Sequence, residues 1–318
     1  MISRICSHLP DGVLDNEHLS SLFPEWTPED IMKKTGIRRR RIAAVDECAS
    51  DLACRAAARL LEQGSAESID SLIFCTQTQD YRLPSTACLL HERLGLPARC
   101  SAVDISQGCS GYIYGLSLAS GLIQSGQAAN VLLLNADTYT HLLAPDDRST
   151  RAIFGDGAAA TLLSSASGAR LSSFTFGTDG KGAEYLMAKG GGSRRREPDA
   201  DPYIRMNGPE VFSFTLRVVP KMVEEILSKS GFVAEDIDLF VFHQANLFML
   251  EHLRKKMDIP GYKFFTHLEE CGNTISASIP IALEAAIASG RLRPGHRVLL
   301  AGFGVGWSWA GCLLEWQA

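Results

Sequence analysis

The chain of 318 residues lacks several features that would each indicate a particular class of protein. It contains no run of about 20 apolar residues, the length a membrane-spanning helix needs, and no apolar signal segment near its start. It also has no excess of basic residues, because 31 Lys and Arg stand against 36 Asp and Glu, giving a net charge of -5. This balance argues against a dedicated nucleic-acid binder. We therefore expect a cytoplasmic protein that binds neither membranes nor nucleic acids.

Cysteine spacing typical of metal sites is absent as well. The nine cysteines form no C-x-x-C pair and no other zinc-ligand pattern. Their odd number, in a chain without secretory features, does not indicate a disulfide framework either. We expect no metal and no cofactor, and we expect most cysteines to be buried as small apolar side chains.

What the sequence does contain is an alternation of strand-like and helix-like segments. Hydrophobic residues make up 46% of the chain, which is typical of a globular protein. Apolar runs at residues 72–74, 131–134 and 239–242 predict buried strands, and helical periodicity appears around residues 51–63, 86–95 and 281–289. This alternation predicts the α/β fold class.

The two halves of the chain resemble each other. Residues 69–74, Ile-Asp-Ser-Leu-Ile-Phe, recur 168 residues later as Ile-Asp-Leu-Phe-Val-Phe at residues 237–242, and three further short matches follow in the same order. This pattern predicts an ancient duplication with one half at residues 1–165 and the other at 166–318. Residues 164–168 have the composition of a connector, and residues 189–198 that of a surface loop.

Cys109 has the strongest local setting for chemistry. Residues 102–105 predict a strand, 106–108 a turn and 110–123 a buried helix, so Cys109 falls at a helix start. The helix dipole and the unpaired N–H groups there favour an anion, so we expect a lowered thiol pKa and a nucleophilic thiolate. The alternative is a core cysteine that only fills space.

Three segments of the second half carry further candidates. His243 directly follows the strand at residues 239–242, where α/β sheets commonly bind ligands, although a structural histidine would fit there too. Asn273 opens a buried helix at the place equivalent to Cys109; by itself it also suits a turn or cap. The glycine-rich residues 302–306 could direct backbone N–H groups at an oxyanion or form a simple hairpin turn.

Taken together, these segments resemble the β-ketoacyl-[acyl-carrier-protein] synthase III family of the thiolase superfamily. The resemblance spans nearly the whole chain and is carried by the cysteine segment and by Thr35-Gly36-Ile37-Arg38, residues 154–160, His243-Gln244-Ala245-Asn246, Gly272-Asn273-Thr274 and Gly302-Phe303-Gly304. It implies a thiolase-like, five-layered αβαβα sandwich built from two duplicated halves and usually assembled as a homodimer.

The resemblance also implies a reaction. Cys109 would take an acyl group from an acyl-CoA thioester, and His243 and Asn273 would stabilise the enolate formed when a malonyl thioester loses carbon dioxide. The backbone N–H groups of Cys109 and Val305 would bind the tetrahedral oxyanion. The outcome is a decarboxylative Claisen condensation in fatty-acid initiation or a related pathway.

Binding residues follow from the same resemblance. Arg38 and Arg148 match positions that contact coenzyme A, and Lys255 and Lys256 match the basic face that receives the acyl carrier protein. More generally, the basic cluster at residues 33–41 predicts an anion contact, although a charge run commonly forms a solvated face.

Three positions depart from the family pattern. Asp30 replaces a tryptophan that stacks on the adenine of coenzyme A, Phe248 stands where an arginine often meets the carrier protein, and Val305 replaces a glycine. A specialised relative that primes a polyketide-type or quinolone-type pathway, or that transfers an acyl group to a small nucleophile, therefore stays open.

Two rival interpretations remain. A papain-like cysteine hydrolase would use Cys109, His243 and Asn273 in the same chain order, but its local cysteine signature is absent. A non-catalytic partner subunit would keep the fold without the reaction, and the presence of all three polar residues argues against it.

Overall fold

The computed structural model describes residues 1–62, 64–166, 168–194 and 201–317. Ser167 of the predicted connector and residues 195–200 of the predicted loop lie outside the described residues. The strands are β1 (Ile2–His8), β2 (Gly12–Asp15), β3 (Arg39–Ile42), β4 (Ser71–Cys75), β5 (Ser101–Ile105), β6 (Asn130–Asp137), β7 (Gly157–Ser164), β8 (Arg170–Thr178), β9 (Leu186–Ala188), β10 (Ile204–Met206), β11 (Leu239–Phe242), β12 (Phe264–Phe265), β13 (Arg297–Gly304) and β14 (Ser308–Glu315).

The helices confirm the predicted alternation. They are α1 (Asn16–Leu22), α2 (Pro28–Thr35), α3 (Ala49–Leu61), α4 (Thr86–Arg93), α5 (Gly111–Gln124), α6 (Arg148–Arg151), α7 (Gly208–Ser230), α8 (Leu247–Lys256) and α9 (Ser278–Ala288). No helix in the described part of the chain is long and apolar enough to cross a membrane.

Two five-stranded sheets share one topology. The first has the order β1-β7-β6-β4-β5, and the second, read in the same direction, has the order β8-β14-β13-β11-β12. In each sheet the three strands at one end are parallel and the remaining pairings are antiparallel. The matched sequence segments fall on equivalent strands, β4 with β11 and β6 with β13. The repeat in the sequence is therefore also a repeat in the fold.

The layers form an αβαβα sandwich. Helices α3 and α4 pack on the outer face of the first sheet, and α7 and α8 pack on the outer face of the second. Helices α5 and α9 lie between the sheets, in a core that also contains Ile73 and Leu133 of one sheet and Val241 and Leu300 of the other. Because both faces of each sheet are covered, the central strands read as continuous apolar runs. This architecture confirms the predicted fold class.

The connection from strand to helix positions the site. Helix α5 follows β5 and helix α9 follows β12, so the segments that open the two central helices occupy equivalent places in the two halves. Cys109 precedes α5 and Asn273 precedes α9.

Candidate active site

Cys109, His243 and Asn273 line one cavity of about 90 Å³. They come from three separate segments of the chain: the turn before α5, the end of β11 and the turn before α9. Each is nearly inaccessible to solvent, with exposed fractions of 6%, 2% and 4%. The fold therefore brings the three predicted residues to the wall of the same buried space.

Cys109 lies just before the first turn of α5. Ser110 is the N-cap residue, and its hydroxyl pairs with that of Ser308 at 2.6 Å, which ties this helix start to the second half. The backbone N–H of Val305 interacts with the Cys109 sulfur. Because residues 305–307 connect the antiparallel strands β13 and β14, the glycine-rich segment is a hairpin turn that also directs an N–H at the sulfur.

The protonation state of Cys109 differs from the sequence-based expectation. Burial raises the pKa of the Cys109 thiol to about 12, and the negative charge of Asp137 raises it further, whereas backbone N–H groups of Val305 and Cys109 lower it. We expected the helix start to lower this pKa. The cause is burial: removing the thiolate from water raises the pKa by more than the helix terminus lowers it. The resting residue is a neutral thiol.

His243 is held by hydrogen bonds on one side. Its backbone N–H donates to the Ala301 carbonyl oxygen at 2.8 Å, and its ring Nδ1 lies 2.7 Å from Ser278 Oγ. Ser278 Oγ also accepts the Gln244 N–H, so its own proton is available to Nδ1. When Nδ1 accepts the Ser278 proton, the proton of the neutral ring lies on Nε2. Burial lowers the pKa of His243 to about 3, against a smaller effect from the Ile275 backbone, so the ring is neutral.

The Asn273 side chain has a defined orientation. Its Oδ1 accepts the N–H of Ile275 at 3.0 Å. Its backbone N–H donates to the Ile153 carbonyl oxygen at 2.9 Å, and its own carbonyl oxygen accepts the Gly155 N–H at 3.0 Å. With the amide oxygen occupied, the Nδ2 group remains as a hydrogen-bond donor for a ligand in the cavity.

A surface groove lies next to the cavity. Its volume is about 540 Å³, and Ile153, Met206 and Gly208 line both the groove and the cavity. Trp26 lines the groove with the Lys34 ammonium 4.5 Å from its ring centroid, and the Arg148 guanidinium lies 4.9 Å from the same centroid. An aromatic ring with two cations beside it suits a ligand that is both flat and anionic.

Trp26 is a residue that the sequence analysis missed. Asp30, the position that departs from the family pattern, caps α2 instead: its carboxylate accepts the Thr27 hydroxyl proton at 3.0 Å, and its N–H donates back to Thr27 Oγ1 at 3.1 Å. The tryptophan lies four residues earlier, before α2 begins. An aromatic residue close in sequence to position 30 was the signal that could have identified Trp26.

The other predicted binding residues lie apart from the cavity. Arg38 does not line the groove; its guanidinium pairs with Glu269 at 2.6 Å. Lys255 and Lys256 are exposed at the carboxyl end of α8. Phe248, on the same helix, is half exposed and packs against Phe212 and His252.

The basic cluster at residues 33–41 is not a uniform solvated face. Arg40 is fully buried, and its guanidinium donates to the Ala152 carbonyl oxygen at 2.9 Å and also to Asn16. Lys34 faces the groove. The run therefore combines a structural arginine with a lysine placed for anion contact.

Other cavities are present on the molecule. Tyr139 and Leu186 line the catalytic cavity and also a neighbouring cavity of about 310 Å³. A larger cavity of about 630 Å³, bordered by β2 and β3, includes none of the three predicted catalytic residues, so the chemistry does not point to it. Among the described residues, no group of three His, Cys, Asp or Glu side chains is placed to hold a metal ion.

Comparisons with known proteins identify the family of this chain. Two family models match the chain, 3-oxoacyl-[acyl-carrier-protein] synthase III over residues 103–180 and the C-terminal part of the same family over residues 227–316. The β-ketoacyl-[acyl-carrier-protein] synthase III of Caldanaerobacter subterraneus subsp. tengcongensis is 37% identical over 321 residues, covering 98% of this chain and 96% of that protein.

Solved structures give the same result. A crystal structure of a 3-oxoacyl-(acyl-carrier-protein) synthase III is 49% identical, covers 99% of both chains and superposes with a TM-score of 0.97. A priming β-ketosynthase from a polyketide biosynthetic pathway is 30% identical, covers 99% of this chain and 96% of its own, and has a TM-score of 0.91. Similarity of this extent, in both halves of the molecule, shows that the chain belongs to the 3-oxoacyl-[acyl-carrier-protein] synthase III family of acyl-transferring condensing enzymes.

Proposed function

We propose that this condensing enzyme joins an acyl group from acyl-CoA to a malonyl thioester through an acyl-Cys109 intermediate. The observation that carries the proposal is the single cavity lined by Cys109, His243 and Asn273. No step of the proposed reaction calls for a metal or a cofactor.

The first half-reaction is acyl transfer. The Cys109 sulfur attacks the thioester carbonyl, the bond from that carbon to the coenzyme A sulfur breaks, and the departing thiolate takes the proton that the Cys109 thiol gives up. The N–H groups of Cys109 and Val305 stabilise the tetrahedral oxyanion. Proton transfer to the leaving group suits a nucleophile that is a neutral thiol at rest.

The second half-reaction is decarboxylation followed by condensation. The bond between the malonyl carboxylate and its methylene carbon breaks, carbon dioxide leaves, and the electron pair passes to the enolate. The Nε2–H of His243 and the Nδ2–H of Asn273 donate to the enolate oxygen. The carbanion then attacks the acyl carbonyl, the bond from that carbon to the Cys109 sulfur breaks, and the released thiolate takes up a proton from water.

The groove supports coenzyme A as the acyl donor. Trp26, with Lys34 and Arg148 beside its ring, offers a stacking surface for a base and positive charge for phosphates. The small cavity at Cys109 favours short acyl groups, with the space beyond Tyr139 and Leu186 available to longer ones. Arg38 and Arg148 are each paired with a carboxylate, Glu269 and Glu25 respectively, and Arg148 has more support only because it lies beside the Trp26 ring.

The acyl carrier protein would dock on α8. Lys255 and Lys256 supply positive charge there for an acidic partner, an attraction that salt weakens. Phe248 and Phe212 add an apolar patch where the family often has an arginine.

That change, together with the similarity to a priming β-ketosynthase, favours a second candidate function: priming of a specialised pathway, with the same chemistry.

The test separates the two half-reactions. Intact-mass spectrometry after treatment with a panel of acyl-CoA thioesters should show one acyl adduct, absent in Cys109→Ala and retained in Cys271→Ala, which removes another buried cysteine. His243→Ala and Asn273→Ala should keep the adduct and lose about 100- to 1,000-fold in release of carbon dioxide from malonyl thioesters. An adduct that survives Cys109→Ala would refute the proposal.

We also propose the two halves and the homodimer that the sequence analysis predicted. The two halves, 1–165 and 166–318, are supported by the distribution of strands, since the first large sheet uses residues 2–164 and the second residues 170–315. A homodimer is supported by the edge strand β5 with its exposed Val103, and by exposed Tyr81 and Leu83. A cytoplasmic location stays a prediction of the sequence.

A further inference from the structure

Asp137 is a buried carboxylate that the proposed reaction does not use. It is the last residue of β6 and is fully buried, and none of the ion pairs formed by the described residues includes it. A buried carboxylate without a cation is costly unless hydrogen bonds satisfy it. Its partners therefore show what it holds in place.

The Asp137 carboxylate connects the two halves of the molecule. One oxygen, Oδ1, accepts the backbone N–H of Gln77 at 2.8 Å, just beyond β4 of the first sheet. The other, Oδ2, accepts the hydroxyl proton of Ser276 at 2.7 Å and the Ser276 N–H at 3.3 Å. The Thr76 hydroxyl also donates to Oδ1, at 3.5 Å, so all four contacts come from donors and the charged carboxylate fits them better than the protonated acid does.

Ser276 belongs to the turn that orients Asn273. Residues Ile275–Ala277 form a 3-10 turn between Asn273 and helix α9. Ile275 has a φ of 51°, a left-handed conformation that a β-branched residue adopts only when its surroundings impose it. The same residue donates its N–H to Asn273 Oδ1. The anchored turn thus determines where the Asn273 amide points.

We propose that Asp137 is a positioning residue that holds the turn at residues 275–277 and so aims the Asn273 Nδ2 group at the malonyl thioester carbonyl. This inference rests on the proposed function, because it assigns a role within the decarboxylation half-reaction. Asp137 also disfavours the Cys109 thiolate electrostatically, and Cys75, Tyr139 and Asp156 are the other titratable groups that interact with Asp137.

The variant Asp137→Asn should affect the two half-reactions differently, slowing decarboxylation but not acylation. Asp137→Asn keeps the side-chain volume but removes one acceptor and the charge. We expect decarboxylation of a malonyl thioester to fall about 10- to 100-fold in kcat with little change in KM, because the donor is misaimed in the transition state. Acylation of Cys109, assayed above pH 7 where burial still leaves the Asp137 carboxylate charged, should stay at its wild-type rate or rise, because the thiolate is no longer opposed by a neighbouring negative charge. A general loss of folding would slow both half-reactions.

Ser276→Ala and Asp156→Asn complete the experiment. Ser276→Ala removes only the hydroxyl, so decarboxylation should fall less, and the double variant with Asp137→Asn should be no slower than Asp137→Asn. Asp156 is an equally buried carboxylate that holds Ala43 and Thr140 rather than Ser276, so Asp156→Asn should affect both half-reactions by the same factor. Urea unfolding monitors stability in every variant.

The outcomes separate the two proposals. Equal losses of acylation and decarboxylation in Asp137→Asn, or no loss of decarboxylation, would overturn the role of Asp137 alone. A wild-type protein that takes up no acyl group and releases no carbon dioxide would overturn the proposed function, and the role of Asp137 with it.

Discussion

At the residue scale, Cys109 and His243 are both uncharged in the resting site. Burial raises the pKa of the thiol to about 12 and lowers that of the imidazole to about 3, so each group is kept in its neutral form. A papain-like hydrolase instead depends on a cysteine thiolate paired with a protonated histidine. The chemistry of this pair therefore agrees with a condensing enzyme, in which the histidine donates a hydrogen bond rather than accepting a proton.

The neutral imidazole predicts a particular pH dependence. Between about pH 5 and about pH 8 decarboxylation should show no inflection from His243, although an ordinary histidine titrates in this range. Burial raises the pKa of Asp137 to about 7, so the profile is best measured in Asp137→Asn, where that second titration is absent. An inflection at about pH 6.5 that persists in this variant would contradict the neutral assignment.

Trp26 gives a prediction about donor binding. Trp26→Ala should raise KM for acyl-CoA about tenfold with kcat unchanged, because stacking on a base contributes about 1–3 kcal/mol to binding. An acyl-pantetheine thioester has no nucleotide and serves as the matched substrate, for which KM should not change. If KM rises equally for both substrates, the ring does not contact the nucleotide.

At the scale of single elements, helix α2 shows how a substitution can have a structural explanation. Asp30 and Thr27 form reciprocal hydrogen bonds at the start of α2, and such caps typically stabilise a protein by about 1 kcal/mol. The aspartate therefore serves the helix, and the aromatic ring of the groove comes from the segment before it. We predict that the stacking role expected at position 30 belongs to Trp26 instead.

The β13–β14 hairpin carries the second element-scale prediction. A Cβ at Gly304 would lie 2.9 Å from both Cβ and Sγ of Cys109, closer than real Cβ contacts. Gly304→Ala should therefore displace the thiol and reduce acylation about 100-fold while the protein stays folded. Gly261→Ala is the control, because no atom lies within 4 Å of its added Cβ. Wild-type acylation by Gly304→Ala would contradict this close packing.

At the scale of the whole molecule, the exposed edge of the first sheet predicts assembly. We expect a mass twice that of the chain by analytical ultracentrifugation, because β5 is an unpaired edge with Val103 47% and nearby Leu83 82% exposed. Val103→Lys should shift the equilibrium toward monomer. Val233→Lys, at an exposed apolar position in the second half, should not. A monomeric wild-type protein would refute the homodimer.

The fold class and the candidate residues Cys109, His243 and Asn273 could be predicted from the sequence because the patterns that indicate them are local. Apolar runs and helical periodicity depend on neighbouring residues, and they located β4, β6, β11 and helices α3, α4 and α9 closely. The repeat added the equivalence of Cys109 and Asn273, which stays a prediction, although the matching sheet orders show that the two halves share one topology. The limits of the halves and the roles of the site residues stay predictions.

By itself, then, the sequence determined the alternation of strands and helices, the duplication and the candidates for chemistry. Only the tertiary structure decided the thiol pKa, the position of Trp26 beside Arg148, and the contact of Asp137 with Ser276, which lies 139 residues away in the chain. Periodicity reflects the preferences of adjacent residues, whereas burial and charge depend on groups that meet only after the chain has folded.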